Sequence, residues 1–265
     1  MDTSLRGKRA LVTGAGDGIG REIACAMAFE GARVAAHGRS LDRVSSTLQS
    51  IKKNGGEALP ALADLKDRGE IKNMCDDVIK NLGGLDILVH NAGISKLSNT
   101  KEMEQSTWDS ILSINLTAPF IITRHVYSEL VRSGSGSSVI FISSIAANAH
   151  TAGWGAYAAS KNGLNAFMHC LADELGVYGV RVNSIAPGWV ETKMAQNLHR
   201  GMAASSGESY EKLYGESMKG NMLGKMLTPD TIADMAVFLA SERGQFITAQ
   251  TLTVCGGDVP GSRSG

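Results

Sequence analysis

Short apolar runs alternate with longer amphipathic stretches along most of the chain. The short runs are nearly continuous in apolar residues, which is typical of strands covered on both faces of a sheet, whereas the longer stretches carry the period of a helix. The predicted strands are Arg9–Thr13, Arg33–Ala36, Ala58–Leu62, Asp86–His90, Ser138–Ile142, Arg181–Ile185 and Thr251–Val254. The predicted helices include Ile19–Phe29, Ser40–Lys53, Ile71–Leu82, Pro119–Arg132 and Tyr157–Val177.

This alternation predicts an α/β fold. Strands separated by helices form crossover units, which build a parallel sheet with helices on both of its faces. No linker-like segment precedes the glycine- and serine-containing end of the chain, Gly261–Gly265. We therefore expect residues 1–265 to form a single domain.

The charge balance favours a small-molecule partner. The chain has 26 basic and 26 acidic residues and a formal net charge of zero. A protein that binds nucleic acid is expected to carry a basic stripe or face, and the sequence contains none. No apolar run approaches the length of a membrane span, so we expect neither nucleic acid nor membrane as a partner.

The cysteines Cys25, Cys75, Cys170 and Cys255 lie far apart in the sequence. This spacing supports neither a zinc site nor a disulfide framework, and it favours reduced thiols in a reducing compartment. The polar segment Met1–Lys8 leads directly into the first predicted strand and lacks the pattern of a secretory signal. We therefore expect a cytoplasmic protein without a metal site.

A glycine-rich turn, Gly14–Gly20, joins the first predicted strand to the first predicted helix. Glycines there permit a tight turn and let the main chain approach a diphosphate closely. The N-terminus of the helix presents free N–H groups and the positive end of its dipole to the phosphates. The position of the turn, between strand and helix, favours a dinucleotide site over a turn without a ligand.

The end of the second strand bears on the choice of dinucleotide. NAD-preferring sites carry a carboxylate near this point, whereas an arginine accommodates the 2′-phosphate of NADP. Here Gly38 takes the place of the carboxylate and Arg39 follows it. A guanidinium binds phosphate through two parallel hydrogen bonds, so the sequence favours NADP(H) over NAD(H). Asp17, inside the glycine turn, adds a nearby negative charge and argues the other way.

Tyr157 and Lys161 are four positions apart in a predicted helix and so share one of its faces. A phenol ordinarily has a pKa of about 10, which makes proton exchange at neutral pH slow. We expect the ammonium group of Lys161 to favour the phenolate and to lower the pKa of Tyr157, so that the phenol acts as a general acid–base.

These motifs together resemble the short-chain dehydrogenase/reductase family, in its single-domain branch, over nearly the whole chain. Thr13-Gly14 with Gly18 and Gly20 is similar to the cofactor turn of the family. The other matches, in order, are Asn91-Ala92-Gly93, Asn115, Ser144 thirteen residues before Tyr157, the pair Tyr157 and Lys161, Pro187-Gly188 with Thr192, and the final segment Ile247–Gly257. Within the family, the chain is similar to 3-oxoacyl-carrier-protein reductases.

The resemblance implies a Rossmann-type, doubly wound fold with a seven-stranded parallel sheet. It implies four catalytic residues. Tyr157 exchanges the proton of the reacting oxygen, Ser144 orients that oxygen, Lys161 binds the nicotinamide ribose, and Asn115 holds a water that links Lys161 to solvent. Ser143 is excluded because the thirteen-residue spacing selects Ser144.

The expected cofactor-binding residues combine the glycine turn, Arg39 and the positions that the resemblance implies. They are Gly14, Asp17, Gly18, Ile19, Gly20, Arg39, Asp64, Leu65, Asn91, Ala92, Gly93, Tyr157, Lys161, Pro187, Gly188, Val190 and Thr192.

The expected substrate contacts also follow from the resemblance. They are Ser95, Ala146, His150, Trp154, Trp189 and a methionine-bearing segment at residues 193–227 that contains no predicted strand. Methionines in such a segment either fill helix packing or form the apolar inner surface of a substrate lid. The position of the segment after the last cofactor motif favours the lid. The two tryptophans suit a substrate with an apolar or planar part.

Three functions remain open at this point. The first is an NADP(H)-dependent reductase of a ketone, such as a 3-oxoacyl thioester. The second is an NAD(P)-dependent dehydrogenase of a sugar, a polyol or another secondary alcohol. The third is a dinucleotide sensor or scaffold without catalysis, against which the complete set of four catalytic residues argues. The resemblance also implies a homo-oligomer, either a dimer or a homotetramer.

Overall fold

The computed structural model describes residues 4–148 and 151–258 of the chain. The strands of the described residues are β1 Arg9–Val12, β2 Arg33–Gly38, β3 Glu57–Leu62, β4 Ile87–His90, β5 Ser138–Ile142, β6 Arg181–Pro187 and β7 Thr251–Val254. They form one sheet of seven strands in the order β3-β2-β1-β4-β5-β6-β7. Every neighbouring pair in this order is parallel.

The helices of the described residues lie on both faces of the sheet. Their bounds are α1 Gly18–Phe29, α2 Leu41–Lys53, α3 Arg68–Leu82, α4 Gln105–Leu112, α5 Ala118–Ser133, α6 Gly155–Gly176, α7 Lys193–Ser206, α8 Tyr210–Lys219 and α9 Pro229–Ala240. One apolar core contains residues of α3, α5 and α6, and a second contains residues of α1, α2 and α9. The predicted Rossmann-type, doubly wound arrangement is therefore confirmed.

The central strands contribute side chains to both cores. In β1, Leu11 belongs to the core on the α5 side, whereas Ala10 and Val12 belong to the core on the α1 side. In β4, Leu88 belongs to the core on the α5 side and Val89 belongs to the core on the α1 side. Burial on both faces explains why these strands are apolar without interruption in the sequence.

The order of the strands creates a crevice. The chain runs outward from β1 to β2 and β3 on one side, and then returns to place β4 on the other side of β1. In open α/β sheets, ligands bind beyond the carboxyl ends of the strands at this reversal. The turn after β1 and the segment after β4 therefore meet at one site.

Several elements differ from the sequence-based prediction. Helix α3 begins at Arg68, three residues before the predicted start, because the side chain of Asp67 accepts hydrogen bonds from Gly69 N and Glu70 N and caps the helix there. Residues 193–227 contain no strand, as predicted, and fold into α7 and α8. None of the helices in the described ranges is long and apolar enough to cross a membrane.

Candidate active site

A cavity of about 1000 Å³ lies beyond the carboxyl ends of the strands. All seventeen residues predicted to bind the cofactor line it. Ser144, Trp154, Trp189 and Ala146 line it as well. Two predicted residues, Asn115 and Ser95, are absent from its wall. His150 lies outside the described residues.

The glycine turn leaves no room for side chains on its inner side. Gly14 has a φ of +66°, and a Cβ there would lie 2.8 Å from Ala92 Cα. A Cβ at Gly20 would collide with the side-chain nitrogen of Asn91. Helix α1 begins directly after the turn, and the side chain of Asp17 at its N-cap makes no capping hydrogen bond. The first-turn N–H groups of α1 are therefore not covered by their own N-cap side chain.

Asn91 braces this turn from the end of β4. Its side-chain nitrogen donates to the carbonyl oxygens of Thr13 at 2.8 Å and Gly14 at 3.1 Å. The hydroxyl of Thr13 accepts in return from the main-chain N–H groups of Asn91 and Ala92, at 2.9 and 3.0 Å. Asn91 thus supports the main chain of the turn in addition to lining the cavity.

His37, at the end of β2, is a site residue that the sequence analysis did not identify. Nδ1 of His37 accepts a hydrogen bond from Gly14 N at 3.0 Å, and Nε2 lies 3.1 Å from the carbonyl oxygen of Ala63. Burial lowers the pKa of His37 to about 4, so the imidazole is neutral. The sequence feature that could have identified His37 is its position as a polar residue after the apolar run of β2, directly before Gly38 and Arg39.

A second arginine accompanies Arg39. Arg39 and Arg43 are both exposed, and both line the rim of the cavity beside α2. Gly38 has no space for the carboxylate of an NAD-preferring site, because a Cβ there would lie 2.7 Å from Val44 Cγ1. Arg43 was missed because its contribution depends on the direction in which α2 leaves the sheet. Its spacing of four from Arg39 was the signal that could have found it.

Tyr157 and Lys161 both line the cavity from α6. Nζ of Lys161 lies 5.7 Å from the centre of the Tyr157 ring and donates to the carbonyl oxygen of Ile142 at 2.7 Å. Ser144 accepts from Ala146 N at 3.1 Å and forms a hydrogen bond with Tyr157. Ser143 instead turns toward α6, where its hydroxyl donates to Lys161 O at 3.4 Å. Ser144 is therefore the serine that contacts the phenol.

The pKa of Tyr157 is shifted in the direction opposite to our expectation. Burial raises the pKa of Tyr157 to about 12, although the hydrogen bond with Ser144 lowers it in part. Burial also lowers the pKa of Lys161 to about 8. The expected effect of Lys161 fails because its ammonium group hydrogen-bonds to Ile142 and not to the phenol, so the cost of burying a phenolate dominates.

Asn115 lies in a π-helical turn, Ser113–Thr117, between α4 and α5. Its side-chain oxygen accepts from Ile94 N, and its nitrogen donates to Ile94 O, each at 2.9 Å. The same nitrogen donates to Ser160 Oγ at 3.0 Å. These bonds tie the segment after β4 to α6. They use both N–H groups of the amide, and the side-chain oxygen keeps a second lone pair that could accept a bond from a water.

The part of the cavity beyond Tyr157 is here called the substrate chamber. Trp154 and Trp189 form one of its walls, and the residues that also line it include Ile94, Ala146, Met194, Leu198, Met202, Leu213 and Glu216. The predicted contact Ser95 does not line the chamber, and its hydroxyl is buried without a hydrogen-bond partner among the described residues. Of the methionines at 193–227, Met194 and Met202 line the cavity, and Met194 and Met222 are exposed.

The segment that carries α7 and α8 is attached to the sheet at both ends. Val190 and Leu227 form a parallel bridge at its base. Thr192 caps α7 by accepting from Ala195 N at 3.2 Å, and its methyl carbon lies 3.1 Å from the position that a Cβ on Gly18 would take. The base of the segment therefore touches the glycine turn.

Comparison with known proteins agrees with this geometry. A family model described as short chain dehydrogenase matches residues 8–203. A 3-oxoacyl-[acyl-carrier-protein] reductase of Chlamydia pneumoniae is 35% identical over 257 residues, which cover 97% of this chain and 99% of that protein. A dehydrogenase/reductase structure from Sinorhizobium meliloti 1021 has a TM-score of 0.87 at 33% identity and covers 97% of each chain.

A second solved structure contains a cofactor. It is an Agrobacterium tumefaciens protein described as a 2-deoxy-d-gluconate 3-dehydrogenase with bound NADP, with a TM-score of 0.84, 33% identity and coverage of 97% of this chain and 98% of that chain. The family model spans β1 to β6, the glycine turn and the residues around Tyr157, and the relative from Chlamydia pneumoniae covers nearly the whole chain. The chain belongs to the short-chain dehydrogenase/reductase family of NAD(P)-dependent oxidoreductases.

Proposed function

We propose that this chain is an NADP(H)-dependent reductase that converts a ketone into a secondary alcohol, with Tyr157 as the general acid. The observation that carries the proposal is the meeting of Ser144, Tyr157 and Lys161 on one wall of a cavity that also contains the glycine turn. The curated relatives include 3-oxoacyl reductases, which perform a reaction of this class.

The residues of the cavity fit a nicotinamide dinucleotide. The glycine turn is a cradle that a Cβ would fill, and the N–H groups at the start of α1 are not capped by Asp17. Gly14 and Gly18 would hold the diphosphate, and Thr192 would hold the nicotinamide end. The cofactor supplies the hydride that adds to the carbonyl carbon.

The chain itself supplies the proton and the orientation. As the carbon gains its hydride, the Tyr157 hydroxyl gives its proton to the carbonyl oxygen, and the hydroxyl of Ser144 holds that oxygen in place. The ammonium group of Lys161 lies 5.7 Å from the centre of the Tyr157 ring, and it would bind the nicotinamide ribose. The high pKa of Tyr157 means that the phenol carries its proton at neutral pH, as a proton donor must.

NADP(H) is proposed over NAD(H) because Arg39 and Arg43 flank the place where the adenosine 2′-phosphate would lie. Gly38 excludes the carboxylate that would repel the phosphate. Asp17, the negative charge that argued for NAD, lies 4.0 Å from Lys193 Nζ, and this exposed ion pair reduces its repulsion. The NADP-bound Agrobacterium tumefaciens neighbour lends further support.

Oxidation of a sugar or another secondary alcohol is the second candidate. The sugar-acid dehydrogenase among the solved neighbours favours it. Oxidation needs Tyr157 as a base, and its raised pKa argues against that role at neutral pH. A scaffold without catalysis is disfavoured by the contact between Ser144 and Tyr157 beside a buried lysine.

The test is the variant Tyr157→Phe, assayed for NADPH consumption with a panel of ketones. We expect turnover to fall by at least about a thousandfold, because both the proton donor and its hydrogen bond are lost. Binding of NADPH, followed by fluorescence titration, should persist in the variant. Undiminished turnover by Tyr157→Phe would refute the catalytic assignment.

A further inference from the structure

The wall of the substrate chamber next to the reacting group is aromatic. Trp154 is the N-cap residue of α6, three residues before Tyr157, and the centres of their rings lie 5.9 Å apart at an interplanar angle of 61°. Trp189 follows β6, and its ring centre lies 6.1 Å from that of Trp154 at 80°. A carbonyl held at the Tyr157 hydroxyl therefore has its carbon substituents beside this corner of two indoles.

Residues of α7 and α8 hold the side chain of Trp189 in place. Trp189 stacks on His199 of α7, with ring centres 4.4 Å apart and an interplanar angle of 29°. His199 is fully buried and bonds through Nε2 to Ser217 Oγ of α8 at 2.7 Å. Tyr210 and Tyr214 contact the same imidazole with their edges. The orientation of Trp189 is thus fixed by both helices of the segment.

Other residues that line the chamber are adaptable. Met194 and Met202 line it together with Leu198 and Leu213. Methionine side chains are unbranched and polarisable, so they adjust to the outline of an apolar ligand. A chamber that combines a rigid aromatic wall with deformable side chains suits a flat ring better than a freely rotating chain, because the ring loses less conformational entropy on binding.

The charged side chains around the chamber do not favour an anionic substrate. Apart from Lys161, the cationic residues that line the cavity in the described part of the chain are Arg39, Arg43 and Lys193. The two arginines lie at the α2 end of the cavity, and Lys193 is placed near Asp17. Glu216 lines the chamber and adds a negative charge to it. An anionic substrate would therefore meet repulsion without compensation.

We propose that the substrate is an uncharged ketone whose carbonyl carbon belongs to a ring or is attached to one, and that Trp154 and Trp189 select it over linear 3-oxoacyl thioesters. This inference rests on the proposed function, which places the carbonyl at Tyr157. It separates this chain from the carrier-protein reductases that it resembles. Edge-to-face or offset contacts with the two indoles are worth up to about a factor of ten each in kcat/KM for a ring.

The experiment measures NADPH oxidation by the full chain with 1-tetralone, acetophenone, 2-octanone and acetoacetyl-CoA. Acetophenone and 2-octanone have the same number of carbon atoms, so their comparison isolates the ring. We expect kcat/KM for both ring ketones to exceed that for both linear probes by at least about tenfold. Higher kcat/KM for acetoacetyl-CoA than for the ring ketones overturns the inference and leaves the reductase assignment standing.

Variants of Trp154 and Trp189 test whether these two residues cause the selectivity. Trp154→Leu and Trp189→Leu should each lower the ratio of kcat/KM between acetophenone and 2-octanone by about tenfold, whereas Trp154→Phe keeps a ring and should retain most of it. Trp108→Leu, a change outside the cavity on α4, is the matched control and should leave the ratio unaltered. NADPH titration verifies that each variant is folded. A ratio that neither corner variant changes contradicts the inference.

Failure of the proposed function would look different. If the chain binds NADPH but reduces none of the four ketones, the reductase assignment fails and the substrate inference fails with it. Turnover of the linear probes alone removes only the substrate inference.

Discussion

The main-chain N–H of Gly14 donates a hydrogen bond to Nδ1 of His37 at 3.0 Å. Because Nδ1 accepts this bond, Nε2 carries the proton and donates to Ala63 O at 3.1 Å. One neutral imidazole thereby connects the turn after β1 with the end of β3, directly before Asp64. The distance between these two parts of the cofactor site is set by a side chain that reaches both.

The first prediction concerns this imidazole. His37→Leu leaves the N–H of Gly14 without its acceptor, at a cost of about 1–3 kcal/mol. We expect the Kd for NADPH to rise about tenfold, as measured by fluorescence titration. The matched variant His37→Asn offers a carboxamide oxygen close to the position of Nδ1 and should lose much less affinity. Equal Kd values for His37→Leu and the native chain would show that the turn does not depend on His37.

The second prediction separates the two arginines at the cavity rim. Hydrogen bonds between a guanidinium and a phosphate are worth about 1.5–3 kcal/mol each. Arg39→Ala and Arg43→Ala should each raise the KM for NADPH by about tenfold or more and should hardly change the KM for NADH. Arg68→Ala, at the exposed N-terminus of α3, is the control. An equal rise in the KM for NADPH and for NADH would mean that the arginines attract negatively charged nucleotides in general and do not recognise the 2′-phosphate.

The third prediction is a loss of stability in acid that depends on His90. Burial lowers the pKa of His90 from its ordinary 6.5 to about 3. The unfolded chain takes up a proton below pH 6.5 while the folded chain does not, so the free energy of unfolding falls as the pH falls through this range. The expected loss from His90 is about 2 kcal/mol between pH 7 and pH 5. His37 acts in the same direction, since its pKa is lowered to about 4.

The measurement is urea unfolding of the native chain and of His90→Asn at both pH values. In the variant the difference between the two pH values should shrink by the contribution of His90. Each protein is compared with itself at the two pH values. Any loss of stability that the substitution causes equally at both values therefore cancels. An unchanged difference would mean that His90 is protonated in the folded chain.

The fourth prediction concerns Arg181, whose guanidinium is enclosed by the C-terminal end of α9. It donates to the carbonyl oxygens of Leu239, Gly244, Ala240 and Ser241. Arg181→Met removes the donors for all four and should lower the free energy of unfolding by about 3 kcal/mol. The control Lys72→Met breaks an exposed ion pair with Asp76 and should have no measurable effect. Urea unfolding compares the two.

Sequence patterns were sufficient where a property is local or repeats along the chain. The strands were found because residues such as Leu11 and Val12 are buried on opposite faces, and burial on both faces forces a continuous apolar run. The glycine turn was found because a close approach of the main chain excludes side chains at fixed positions. Ser144 and Tyr157 were located by their spacing within a resemblance that covers nearly the whole chain.

Other features depend on contacts that no local pattern contains. The π-helical turn at Asn115 is held by Ile94, which precedes it by about twenty residues in the sequence. The pKa of Tyr157 is raised above its ordinary value because the phenol is buried. The extent of this burial depends on how distant segments pack around it. Ser95 was placed in the pocket by analogy alone, and its side chain turns away from the cavity wall. His37 was overlooked because its role depends on hydrogen bonds to two distant segments, the glycine turn at Gly14 and the residue after β3, Ala63.

The bridge between Val190 and Leu227 has a consequence for how this chain can change over time. The segment between these two residues begins and ends at one point beside the sheet, whereas Ser144, Tyr157 and Lys161 lie outside it, and only Thr192 at its base was assigned to the cofactor. Because closing a longer loop costs little extra free energy, α7 and α8 can be lengthened, shortened or exchanged as one cassette. New substrates can thus be acquired by replacing this insert, with the reaction itself left unaltered.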